Sequence, residues 1–229
     1  QYSTAILKSG NYLLSIFNSD DELIFSRKFM IYDPQVTVGV EVLRTRNLEF
    51  IEEKQVVNFN VDSGENILIN PEETVKPLII QNNDLKRSVG NIPPQYSIGN
   101  LLQYRYDDET SFYAGNEFFD YDNKDIRAAT NRVQYIELLK LYHNYLYGNN
   151  TRKDAVYTYN PDLNGNFQIN TIQGDQPKVN AEYAWIHFSL DHPQRPEDEE
   201  IHLYGNFNNF VIEDATKLQF NPENQRYEL

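Results

Sequence analysis

Apolar residues recur at every second position along most of this chain, and a period near 2 demands extended strands rather than helices. Tyr12, Leu14 and Ile16 alternate with Leu13, Ser15 and Phe17. The polar turn Asn18-Ser19-Asp20-Asp21-Glu22 follows, and residues 23–32 run as a second strand, so this stretch reads as a β-hairpin. Residues 36–43, 55–61, 75–81 and 101–106 also read as strands, separated by turn-rich stretches such as Asp62-Ser63-Gly64-Glu65-Asn66 and Asn91-Ile92-Pro93-Pro94. Helix competes in one place. Ile126, Ala129, Val133 and Ile136 fit helical spacing, but Tyr135, Tyr142, Tyr145 and Tyr147 favour strand. The expectation is a short turn or helix near 126–130 and a strand from Arg132. Asn164-Gly165 between strand-like segments signals a further hairpin. Later, Ala184, Ile186, Phe188 and Leu190 make one face, and Tyr183, Trp185, His187 and Ser189 make the other, with 201–204 expected as a neighbouring strand.

The chain therefore reads as all-β, built of consecutive immunoglobulin-like or β-sandwich units over residues 1–33, 34–176 and 177–229. Ser9-Gly10-Asn11-Tyr12 resembles the loop entering the penultimate strand of an immunoglobulin-like sandwich, where a Tyr hydroxyl ties back to nearby backbone. Such a sandwich needs about seven strands. Only two or three fit before Asp33-Pro34, so the first unit reads as the end of a sandwich. The last reads as the start of one.

Composition narrows the function. Over 229 residues, 20 Lys and Arg stand against 34 Asp and Glu, a net charge of -14. That balance disfavours a nucleic-acid phosphate backbone, which needs clustered cations, and an anionic membrane surface. With no cysteine there is no disulfide framework, no thiolate metal site and no cysteine nucleophile. No window approaches the roughly 18 consecutive apolar residues of a transmembrane helix, so no direct membrane insertion is expected.

Catalytic motifs do not stand out. The ten glycines form no phosphate-cradling loop and no nucleophile elbow, so no catalytic residue, cofactor or metal is assigned. His187 and His202 are expected on one sheet face, where a half-exposed surface is the plain reading and a metal the sharper one. Residues 107–125 carry seven acids and one base, Lys124. Asp120, Asp122 and Asp125 suggest a calcium loop, but counting from Asp120 the required Gly and closing Glu are Asp125 and Asn131, so the motif fails. The run Glu197-Asp198-Glu199-Glu200 reads as a solvated loop. Tyr183, Trp185 and Tyr204 could form an aromatic platform for a sugar, which makes a carbohydrate-binding module the alternative function.

Several motifs in series point to one family. They are SGNYLLSIF and FSRKFMIYDPQV near the start, and Gly115-Asn116-Glu117-Phe118-Phe119-Asp120 with Arg127 and Arg132-Val133. Tyr157-x-Tyr159-Asn160-x-Asp162-Leu163-Asn164-Gly165-Asn166-Phe167 follows. The last are Ala181-Glu182-Tyr183-x-Trp185-x-His187-Phe188 and Tyr204-Gly205-Asn206-Phe207-Asn208-Asn209-Phe210. In order and spacing they resemble the type IX secretion system plug protein family. The resemblance implies a non-enzymatic periplasmic protein that seals the mouth of a large outer-membrane translocon β-barrel when cargo is absent, as a monomer within a hetero-complex. Asp107, Asp108, Glu109, Asp120, Asp122 and Asp125 are then candidates for contacts with basic groups at the pore rim. The last segment also resembles the early strands of a carbohydrate-binding sandwich.

Overall fold

The computed structural model describes residues 5–130, 132–152, 155–193 and 199–229. Glu197 and Asp198 of the acidic run, and Asn131 at the end of the failed calcium pattern, lie outside these. The fold is all-β. Its strands are β1 (Gly10–Phe17), β2 (Leu23–Ile31), β3 (Thr37–Arg44), β4 (Lys54–Asp62), β5 (Leu78–Gln81), β6 (Asp84–Gly90), β7 (Tyr96–Ile98), β8 (Leu101–Tyr104) and β9 (Ser111–Tyr113). Then come β10 (Val133–Leu138), β11 (Tyr142–Leu146), β12 (Asn149–Asn150), β13 (Ala184–His187), β14 (Ser189–Asp191), β15 (Gln219–Asn221) and β16 (Arg226–Glu228). Two single-turn helices, α1 (Pro71–Thr74) and α2 (Pro177–Asn180), interrupt them. Contacts divide the chain into two compact units, residues 1–77 with 91–111 and residues 78–90 with 112–229.

In the first unit, β1 and β2 form the expected antiparallel hairpin. The Tyr12 hydroxyl donates to the Lys8 carbonyl at 2.8 Å, the tie-back anticipated from Ser9-Gly10-Asn11-Tyr12. Leu13, Phe17, Ile24 and Met30 nevertheless stand exposed, because a two-stranded ribbon cannot cover both of its faces. The other strands run in the order β3-β4-β8-β7. Val56, Phe59, Val61, Leu102 and Tyr104 are buried on them, and the Phe59 and Tyr104 rings stack at 4.2 Å. The strand expected from residue 75 begins at Leu78. The Val75 N–H instead closes α1 on the Pro71 carbonyl, and Pro77 has no N–H to offer a ladder.

In the second unit, β10-β11-β13 and β12-β14-β16-β15 form two sheets, and β5-β6 a hairpin. β13 runs parallel to β11, and β12 parallel to β14. One continuous run, residues 184–191, serves both sheets. Phe188 is the joint, and its N–H and C=O both bond to Leu229, at 2.8 and 3.2 Å. Residues 201–204 do not extend the Trp185 sheet as expected. Their backbone is taken by 216–218 through Leu203 N–H to Thr216 and Leu218 N–H to Ile201.

The turn at Asn164-Gly165 forms, with both residues at positive φ, but no strands flank it. Its ends are held by distant loops instead of by each other. The Asp162 carboxylate accepts from the Phe118 N–H at 2.7 Å, and the Gly165 carbonyl accepts from the Asn206 N–H at 2.8 Å. Buried Phe210 packs edge-on to Phe118 and Tyr204. The Tyr204 hydroxyl bonds the buried Asp84 carboxylate, and the Lys86 ammonium bonds the Phe210 carbonyl at 2.9 Å. A Cβ on Gly165 would lie 2.8 Å from the Phe118 ring and 3.0 Å from that of Phe210, at φ +73°. Both the left-handed backbone and the ring clash oppose any side chain there. Gly165→Ala is expected to destabilise the second unit by about 2–4 kcal/mol in urea unfolding.

Candidate functional site

Register alone gathers one cluster of planar side chains. On β10-β11-β13, Tyr135 lies opposite Tyr145, Glu137 opposite His143, His143 opposite Trp185 and Tyr145 opposite His187. Directly opposed residues point to the same face, so Tyr135, Glu137, His143, Tyr145, Trp185 and His187 share it. The reverse face carries buried Asn144 and Leu146. The Tyr145 ring is sandwiched between Tyr135 at 4.2 Å and His187 at 4.1 Å, all nearly parallel. His143 and His187 meet differently. Their centroids are 5.2 Å apart, and Nδ1 of His143 lies 2.9 Å from Nε2 of His187, an edge-to-edge hydrogen bond.

That bond needs one protonated and one bare nitrogen, which neutral rings supply. Desolvation, and then the neighbouring His143, hold the His187 pKa below its usual 6.5, against the pull of Glu137 and Glu228. The Tyr145 hydroxyl donates to Glu137 at 3.3 Å. Burial first, then the Glu137 charge, raise its pKa.

The sequence marked Tyr135 and Tyr145 only as strand residues and assigned no site role to them, to His143 or to Glu137. The i, i+2 pairs Tyr135-x-Glu137 and His143-x-Tyr145 were the available signal, but only the parallel pairing of β11 with β13 aligns them with Trp185 and His187. His202 is elsewhere, with its ring nitrogens 3.2 Å from the Thr216 hydroxyl and 3.1 Å from Glu200. Among the described residues no three His, Asp or Glu side chains gather as metal ligands. Of the aromatic trio, Trp185 is 60% and Tyr183 88% exposed. Tyr183 directly precedes β13, and Tyr204 is held at Asp84, on neither β13 nor the β11 strand beside it.

The acidic candidates divide between the two units. Burial pushes the Asp107 carboxyl up, but the Arg46 N–H, the Thr45 hydroxyl and the Arg46 guanidinium hold it below its usual range. It therefore braces the end of β3. Asp108 accepts from the Asn47 amide at 3.3 Å, and Glu109 is exposed. In the second unit Asp120 pairs with Arg132 at 3.2 Å, and Asp125 accepts from the Arg127 N–H at 3.0 Å. Asp122 pairs with Lys124, whose N–H chiefly lowers its pKa.

Residues 1–33 match the Type 9 secretion system plug protein 1st domain. The resemblance carried by SGNYLLSIF and FSRKFMIYDPQV is thus found at the N-terminal hairpin, and it links that segment to type 9 secretion. A crystal structure of a hypothetical protein from Parabacteroides merdae ATCC 43184 is similar to the chain as a whole. The TM-score is 0.81 at 26% identity, covering 96% of this chain. The chain spans 56% of the length of that solved protein. Comparison with curated proteins gives no match. No helix among the described residues is long and apolar enough to cross a membrane, which leaves membrane-crossing strands unaddressed.

The His187 shift fixes the sign of a pH effect. Above about pH 6.5 the imidazole is neutral in folded and unfolded chains alike. As pH falls through that value the unfolded chain takes up a proton that the folded one refuses, and stability declines. The urea midpoint of the second unit should fall between about pH 8 and about pH 5.5. His187→Gln should flatten that dependence.

Proposed function

We propose that this chain is part of a non-enzymatic periplasmic plug that seals the type IX secretion translocon while no cargo occupies it. The observation that carries the reading is the match of residues 1–33 to the plug protein's first domain. The partner is a large outer-membrane β-barrel, and one copy of the chain serves each pore from the periplasmic side without entering the bilayer. The three-part division at 33/34 and 176/177 belongs to the same proposal, with residues 1–33 as the end of a first domain.

The surface chemistry supports it. A stopper must release, so its seal is better polar and wet than greasy. The chain carries 27 Asn, 17 Tyr and a net charge of -14. Acids facing a basic rim would speed encounter more than they deepen affinity. Among the described residues, Asp108, Glu109 and Asp125 have no ion pair with Lys or Arg, whereas Asp107, Asp120 and Asp122 are engaged locally. The exposure of Trp185 and Tyr183 favours the carbohydrate reading as the rival. It would gain priority if a glycan array showed tight binding that Trp185→Ala abolished.

Tagged full-length protein, purified from membranes under cargo-free conditions, should bring a large outer-membrane β-barrel with it. Recovery of no such barrel overturns the proposal. Asp108→Asn with Glu109→Gln should slow association with that barrel and weaken its salt dependence. Unchanged kinetics would remove this loop from the contact.

A further inference from the structure

β3 lies at the end of its sheet, and among the described residues no strand pairs with its outer side. All eight of its residues are exposed. Val38, Val40 and Val42 oppose Val61, Phe59 and Val57 on β4, so they continue a face on which Val61 and Phe59 are buried and Val57 half-buried one strand further in. They are 52%, 62% and 56% exposed. Long apolar edges of this kind are templates for strand addition, and soluble proteins usually blunt them with Lys, Pro or a bulge. β3 has no Lys, Pro or bulge, and of the charges that also serve this purpose it carries only Glu41, off the valine face, and Arg44 at its end.

Gly39 adds an independent observation. A glycine inside a strand weakens it and often marks close approach by another backbone or a ligand. Here the backbone is ordinary, and a Cβ on Gly39 would meet nothing within 4 Å. Among the described residues nothing uses the missing side chain. The space opens into a groove of about 250 Å³ lined by Glu41, Asn58, Asn60 and Arg105. The side chains of Asn58, Asn60 and Arg105 have no hydrogen-bond partner among the described residues.

We propose that β3 pairs antiparallel with β3 of a second copy of this chain about a two-fold axis at Val40, the copy's Glu41 filling the space over Gly39. Opposed residues in an antiparallel pair share a face, so the axis must pass through a residue. Only the axes at Val40 and Glu41 pair seven of the eight positions. The axis at Glu41 sets two Glu41 carboxylates against each other and Val38 against Arg44, and like charges directly opposed are destabilising. The axis at Val40 sets Val40 on Val40, Val38 on Val42 and Glu41 on Gly39. It aligns the exposed valines of both copies and brings each Glu41 carboxylate to the amides and guanidinium of the groove. The contact is small beside a standard interface of about 1,600 Å², so the pairing is reversible and depends on concentration. It concerns the free protein and does not rest on the plug reading.

The test uses the full chain. In sedimentation equilibrium the weight-average mass should rise from that of one copy toward that of two as concentration increases. Gly39→Val should abolish the rise while leaving the circular dichroism and melting of the single copy unchanged, because its side chain enters empty space. The cysteine-free background gives a second readout. Directly opposed Cα atoms lie about 4.5–5.5 Å apart, within the span of a disulfide. Val40→Cys should therefore give a disulfide-linked dimer on mild oxidation, and Glu41→Cys should not. A mass that stays at one copy at every concentration overturns the proposal. So does a Gly39→Val chain that still associates, or a Glu41→Cys chain that links as readily as Val40→Cys.

Discussion

The second unit depends on how closely its loops approach Gly165. Phe118 and the stretch holding Asn206 and Phe210 lie far apart in the chain, and both converge on one residue that has no side chain. Asp162 fixes the turn by accepting from the Phe118 N–H. Lys86, Asp84 and Tyr204 clamp the Phe210 loop. Interiors pack at crystal density, so a junction of this kind tolerates few substitutions. The motifs that carried the family resemblance, Gly115 to Asp120, Asp162 to Phe167 and Tyr204 to Phe210, are largely the parts of this junction. They are rich in Gly, Asn and aromatics rather than in acids and bases because they solve a packing problem.

Strand existence was legible, but strand partnership was legible only for the local β1-β2 hairpin. The alternation in residues 12–32 and the β-branched runs of β3 and β4 announce themselves, since side chains that alternate in exposure leave a period in the sequence. Tyr12 was also readable, because its hydroxyl acts over four residues. The losses came from contacts that are long in sequence. Nothing local told that β13 would lie parallel to β11 across a gap of about forty residues. His187 was therefore matched with His202, while its real partner is His143. Tyr204 was placed beside Trp185 for the same reason, although its backbone neighbours are residues 216–218. The Asn-Gly signal was right about the dihedrals and wrong about the ladder. Turn chemistry is set by two residues, and hairpins also need two flanks that prefer each other.

Charge tells a similar story at shorter range. The excess of acids suggested a surface facing outward, yet most of the singled-out acids are occupied at home. Asp107 braces the end of β3, Asp122 and Asp125 accept from backbone N–H groups two residues on, and Asp120 holds Arg132. Side-chain carboxylates that satisfy nearby backbone donors are the ordinary business of loops in an all-β chain. The -14 balance is a property of the whole surface, and its long-range field does not require any one of these acids to be free.

Residues 184–191 lie in two sheets at once, stitched at Phe188 to Leu229. This has a mechanical meaning. Tension applied at the last residues passes through that stitch into the β14 ladder and, along the same backbone, into β13. There the parallel pairing with β11 is loaded along the strands, so several hydrogen bonds resist together instead of opening one by one. Leu229 thus sits on a load path that reaches both sheets of this unit.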